Sequence, residues 1–74
     1  MPKLPVISDA QAVKSLQRGG WVVNRQRGSH VILLKPGKMA SLSVPQHREL
    51  APGTLRALLR AAELSINEFV HLLS

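Results

Sequence analysis

The chain is short and strongly basic: its 74 residues include ten Lys and Arg, four Asp and Glu, and no cysteine. A chain of this length forms one small domain, so residues 1–74 are predicted to be a single unit. The absence of cysteine excludes disulfides, thiolate zinc sites and cysteine nucleophiles. Together with the lack of a signal-like or membrane-length apolar run, it favours a cytoplasmic protein.

The chain is predicted to begin with an extended segment followed by one amphipathic helix. Residues 1–7, with prolines at positions 2 and 5, form the extended lead-in. Ser8 is a typical helix N-cap, and Gln11 completes a capping box. The double glycine at 19–20 ends this helix near Arg18.

Three strands are predicted next, in one antiparallel sheet. Residues 21–26 form the first strand, with Trp21, Val23 and Arg25 expected on one face. Residues 29–35 are apolar on both faces, which is typical of a central strand. A Pro-Gly turn leads into the third strand, residues 39–44, where apolar residues alternate with serines.

Two helices complete the predicted fold. Pro52 begins the longer one, and Thr54 is expected to cap it. Its apolar stripe has four residues, Leu55, Leu58, Leu59 and Ala62. A capping box of Ser65 and Glu68 begins a short last helix. Four of its residues are expected to point inward, namely Ile66, Phe69, Val70 and Leu73. This order predicts an α+β fold of two layers, with the long helices on one sheet face and the other face free for a partner.

Positive charge dominates the middle of the chain, where residues 14–60 hold nine lysines and arginines and one acidic residue, Glu49. Such a field favours a polyanionic partner, either nucleic acid or an acidic protein, over a merely solvated surface. Trp21 and Phe69 are the only aromatic residues. Because base stacking requires several exposed rings, we expect recognition through phosphates and shape instead.

The segment Arg25-Gln-Arg-Gly-Ser-His30 holds the candidate catalytic group. The sequence has no phosphate-binding or dinucleotide-binding loop, no deaminase zinc motif and no carboxylate pair for a metal, so no metal ion or cofactor is expected. RNA cleavage asks less of a protein, since the substrate supplies its own 2′-hydroxyl nucleophile and one histidine can act as general acid or base. Arg25, Arg27 and the Gly28-Ser29 backbone can hold the phosphate. The residues alone favour a structural role for His30 and leave a catalytic one open.

Four elements, in this order, resemble the HicA family of bacterial and archaeal toxins. They are Pro5-Val-Ile-Ser8, Arg25-Gln-Arg-Gly-Ser-His30, Val44-Pro-Gln-His47 with Glu49-Leu50, and Gly53-Thr-Leu-Arg56. The resemblance implies a small mRNA interferase with a fold like that of double-stranded-RNA-binding domains, α-β-β-β-α plus a short C-terminal helix. It assigns catalysis to His30 and implies a HicB antitoxin that covers the active surface.

Some residues depart from the family pattern or have an open role. Glu63 stands where a glycine is usual between the last two helices, and Trp21 stands where a phenylalanine is usual. Ser29 is interpreted as a turn former that orients His30. His47 is either structural or phosphate-facing, whereas His71, in the last helical turn, is not expected to be catalytic.

The sequence therefore predicts a metal-independent endoribonuclease that cleaves mRNA, the toxin of a toxin–antitoxin pair, with His30 as general acid or base. The predicted RNA-binding residues are Arg25, Arg27, Gly28, Ser29 and Lys35. No membrane or small-molecule cofactor is expected. The main alternative is a non-catalytic double-stranded-RNA-binding module in which His30 only packs. A basic adaptor for an acidic protein is a third hypothesis.

Overall fold

The computed structural model describes residues 3–73, which form three helices and one three-stranded antiparallel sheet. The elements in chain order are α1 (Asp9–Arg18), β1 (Val22–Arg27), β2 (His30–Leu34), β3 (Leu42–Pro45), α2 (Pro52–Ala62) and α3 (Ile66–Leu73). This arrangement confirms the predicted α+β fold. The strand order β1-β2-β3 also makes β2 the central strand, as its apolar sequence predicted. The first two residues of the predicted lead-in lie outside the described residues.

Local signals in the sequence set the boundaries of α1 and the turn between β2 and β3. The Ser8 hydroxyl accepts from the Gln11 backbone N–H at 3.2 Å, and the Gln11 side chain accepts from the Ser8 N–H at 3.0 Å. These two bonds form the predicted capping box. At the turn, the Lys38 N–H donates to the Lys35 carbonyl at 3.0 Å, and Gly37 takes the positive φ of 84° that such a turn requires.

Strand β1 differs from the prediction because it contains a β-bulge. Its register with β2 shifts between Val23, which pairs with Leu33, and Arg25, which pairs with Ile32. Asn24 is the extra residue, so Val23 and Arg25 do not share a face as expected. Trp21 precedes the strand and is buried in the core.

The hydrophobic core lies between the sheet and the helices. Helix α1 packs against α3, β1 and β3, while α2 packs against β3. Leu33 of the central strand and Phe69 of α3 are fully buried, and the apolar stripe of α2 is buried as well. A buried hydrogen bond from the Ser15 hydroxyl to the Phe69 carbonyl, 3.0 Å long, joins α1 to α3.

Two predictions about the C-terminal helices are wrong. Thr54 does not cap α2, because the N-cap residue is Ala51 and Pro52 occupies the first helical turn. Proline has no N–H to satisfy at that position and its fixed φ suits the first turn of a helix, while the N-cap Ala51 provides no side-chain hydrogen bond. Val70 is 41% exposed and does not point inward. The capping box of Ser65 and Glu68 is confirmed, and its hydrogen bonds lower the pKa of Glu68.

The turn between α2 and α3 is built on Glu63 in a left-handed conformation. Glu63 has φ 58° and ψ 39°, a region that side-chain-bearing residues rarely adopt. The Leu64 N–H donates to the Leu59 carbonyl at 3.0 Å, so the helix ends as sharply as it would at a glycine. The Glu63 carboxylate is also 2.5 Å from the Lys38 ammonium.

Replacing Glu63 with glycine should stabilise the domain. Glu63→Gly relieves the left-handed strain and loses only an exposed ion pair, whose contribution is small. We expect Tm to rise by a few degrees in thermal unfolding followed by circular dichroism. Glu63→Gln is the control, since it keeps the strain and loses the charge, and its Tm should equal or fall slightly below that of the wild type. A Glu63→Gly protein less stable than Glu63→Gln would contradict this account of the turn.

The pH dependence of stability, compared between the wild type and Glu63→Gln, tests the ion pair of Lys38 with Glu63. The hydrogen bond and charge of Lys38 lower the pKa of Glu63 from its ordinary value of 4.5. A lowered folded-state pKa contributes stability that is present above 4.5 and is lost as the pH falls through the lowered pKa. Any stability advantage of the wild type over Glu63→Gln should therefore be present at pH 7 and shrink below pH 4.5.

Candidate functional site

The sheet has one face against the helices and one open face. Val31 and Leu33 of β2 pair with Val44 and Leu42 of β3, and three of these four side chains are fully buried. Because successive residues of a strand point to opposite faces, His30, Ile32 and Leu34 lie on the other face. His30 and Leu34 are exposed there, at the two ends of β2.

The bulge at Asn24 brings two arginines to the same face as His30. Arg27 pairs directly with His30, and Arg25 pairs with Ile32. Directly opposite residues of an antiparallel pair project on the same face. The bulge thus places both arginines on the face of His30, towards the end of the sheet where β1 turns into β2.

The turn between these strands is formed by Gly28 and Ser29. Gly28 has φ 60°, and nothing lies within 4 Å of the position that a Cβ would take. The presence of glycine at position 28 is therefore explained by the positive φ and not by a lack of space for a side chain. Both turn residues are exposed, so their backbone is accessible to a ligand.

An amide network that the sequence analysis missed holds this turn against the loop after β3. The Gln26 side-chain amide donates to the Gly28 carbonyl at 3.3 Å and to the Gln46 side-chain oxygen at 3.1 Å. The Gln46 backbone N–H donates to the Ser29 carbonyl at 2.8 Å. No spacing signal links residues 20 positions apart, and only the sheet register reveals the contact. The network holds the backbone of the two residues that precede His30.

His47 lies in the loop held by this network. Its backbone N–H donates to the Pro45 carbonyl, and its carbonyl accepts from the Asp9 N–H, both at 3.0 Å. The side chain is exposed. The structural contribution of His47 therefore comes from its backbone. Because His30 pairs with Pro45, the exposed imidazole of His47 is accessible at the same end of the sheet as His30.

Lys35 is not brought together with the two arginines. It follows the other end of β2, about 16 Å from His30 along the strand at 3.3 Å per residue. Its side chain extends over Gly20, where an added Cβ would come within 3.1 Å of the Lys35 Cε. Lys35 is therefore distant from a phosphate bound beside His30 and would contact a different part of a long ligand.

The charges at the candidate site are solvated and available. Within residues 3–73, neither Arg25 nor Arg27 forms an ion pair or a side-chain hydrogen bond. Their charges are therefore free to meet phosphate oxygens, which guanidinium groups bind in a fork geometry. Residues 3–73 contain no group of three or more His, Asp or Glu side chains placed to hold a metal ion.

Comparison with protein families matches residues 10–64 to one family, described as the HicA toxin of bacterial toxin–antitoxin. The match covers more than half of the chain and includes the whole sheet with α2. Among curated proteins, none matches the chain. In the described part of the chain, no helix has the length and apolar composition needed to cross a membrane.

The amide network should be needed for order at the turn. Gln26→Ala removes both side-chain hydrogen bonds, so amide hydrogen exchange at residues 28–30 should become faster. Because Gln26 is exposed, the free energy of unfolding should fall by only about 1 kcal/mol. Gln17→Ala, an exposed glutamine on α1, is the matched control and should change neither quantity. Unchanged exchange at residues 28–30 in Gln26→Ala would show that the network does not order the turn.

Proposed function

Because the chain belongs to the HicA toxin family, the toxins of bacterial toxin–antitoxin pairs, we propose that it is an endoribonuclease that cleaves mRNA. The observation that carries this proposal is the pairing of exposed His30 with Arg27, with Arg25 on the same face. An mRNA substrate places the reaction in the cytoplasm. The protein partner would be an antitoxin of the HicB type.

The proposed reaction uses the 2′-hydroxyl of the RNA as nucleophile. The 2′-oxygen forms a bond to the adjacent phosphorus while the bond to the 5′-oxygen breaks, giving a cyclic phosphate end and a 5′-hydroxyl end. His30 takes the proton from the 2′-hydroxyl while water protonates the departing 5′-oxygen, or His30 supplies that proton while water accepts the one from the 2′-hydroxyl. Arg25 and Arg27 hold the phosphate oxygens and stabilise the charge that builds up on them. This chemistry needs no metal ion.

The exposure of His30 favours this proposal over the non-catalytic module. In that alternative, the imidazole packs in the fold, and its place beside two arginines has no further meaning. The side chain is instead exposed, with no hydrogen bond to any residue of 3–73. An exposed histidine contributes little to the core, whereas an acid–base catalyst must reach its substrate.

The central test is His30→Ala, assayed on one RNA in the presence of EDTA. Cleavage should fall by about 10²–10⁴-fold, the range for loss of a general acid or base. RNA affinity should change little, because the arginines carry the phosphate contacts, and Tm should stay close to that of the wild type. The expressed variant should also lose its toxicity.

Two further histidines serve as comparisons in that assay. His71→Ala, on α3 and outside the candidate site, should cleave RNA like the wild type. His47→Ala should weaken RNA binding without the large loss of rate, if its exposed imidazole faces phosphate. Full cleavage by a folded His30→Ala protein would remove the catalytic assignment and leave the RNA-binding module as the better explanation.

Binding to single-stranded RNA should depend on salt. If about four phosphates are neutralised, log K should fall with log salt concentration with a slope of roughly −3, since each contact contributes about −0.7. Arg25→Ala and Arg27→Ala should each weaken binding and flatten the slope. Lys14→Ala is the charge-matched control, because Lys14 is exposed on α1, on the helix side of the sheet. Equal effects of all three variants would argue against a localised phosphate site.

A further inference from the structure

The open face carries an apolar area at the end opposite His30. Val22 is 56% exposed and pairs with Leu34, which is 42% exposed, so the two side chains lie on the same face. Met39, after the β2–β3 turn, is fully exposed. These three residues line one open groove of about 690 Å³, and we call them the apolar patch.

The apolar patch lies apart from the proposed catalytic end. Leu34 is four residues from His30 along β2, a separation of about 13 Å. Aliphatic side chains offer neither charge for phosphate nor rings for bases, so they cannot explain RNA binding. Clustered exposed aliphatic residues are instead typical of a surface that binds another protein.

The surrounding charge indicates which protein would fit. Lys35 and Lys38 line the same groove, and the chain as a whole has a net charge of +6. Lys38 already has Glu63 as a partner, whereas Lys35 has no ion pair within residues 3–73. A second copy of this chain would bring like charges together, which opposes association. An acidic partner with an apolar side chain between its carboxylates fits both the patch and its rim.

We propose that the apolar patch is the anchor for the antitoxin of this toxin. The patch holds an apolar segment of the antitoxin, and carboxylates beside that segment meet Lys35. From this anchor, the antitoxin reaches over the open face and covers His30. The inference builds on the proposed function for the consequence of binding, but antitoxin binding itself is independent of whether the chain cleaves RNA.

The test is a triple variant, Val22→Thr, Leu34→Thr and Met39→Ser, which makes the patch polar and places β-branched threonine at the two strand positions. The probe is the purified product of the antitoxin gene beside the toxin gene, titrated by calorimetry against the folded protein. Its Kd should rise at least about tenfold, the effect of losing buried apolar contacts at an interface centre. RNA cleavage without antitoxin should remain within about twofold of wild type. Val6→Thr and Val70→Thr, at exposed valines outside the patch, should change neither measurement.

Other outcomes would overturn the proposal in distinguishable ways. Unchanged antitoxin affinity in the triple variant would show that the patch is not the anchor. If affinity is unchanged but RNA cleavage falls, the patch serves RNA. If sedimentation shows a wild-type dimer that the variant loses, again with unchanged affinity, a second copy occupies the patch. A wild-type chain that binds antitoxin at the patch but does not cleave RNA would refute the proposed catalysis and leave the anchor intact.

Discussion

The β-bulge at Asn24 determines what the open face presents. In a regular strand, Arg25 and Arg27 would share the face of Val23, which is the helix side of the sheet. Both arginines would then point away from the face of His30. The extra residue moves both arginines to the face of His30 and leaves Val23 opposite Leu33. The bulge is therefore the feature that brings both arginines to the open face.

Features that depend on neighbours in sequence could be predicted, whereas those that depend on strand register could not. The capping boxes of α1 and α3, the Pro-Gly turn and the stripe of α2 each require residues only a few positions apart. The bulge and the contact of Gln26 with Gln46 exist only once the strands pair. Thr54 was misassigned because Pro52 already provides a start for α2. The members of the candidate site were found in the segment 25–30, but the separation of Lys35 from them follows from the length of β2.

Both departures from the family resemblance lie away from the candidate site, and each has a local cost. The Trp21 side chain is buried, and its indole N–H has no acceptor within residues 3–73. A buried donor without a partner costs about 1–3 kcal/mol, which the larger apolar surface of tryptophan offsets. Glu63 adopts a strained left-handed backbone conformation but forms an ion pair with Lys38. Neither residue touches the β1–β2 turn, so neither change alters the proposed chemistry.

The exposure of the candidate site has a consequence for its control. His30, Arg25 and Arg27 all lie on an open sheet face, and all three are exposed. In the part of the chain that the structure describes, His30 is exposed and therefore accessible to RNA. Control of a nuclease with such a site would fall to an external surface that competes for the same face. A competitor bound only through the arginines would be weakened by salt, as RNA is. An apolar contact at the far end of the face is insensitive to charge screening, and it would give the competitor an advantage that RNA lacks.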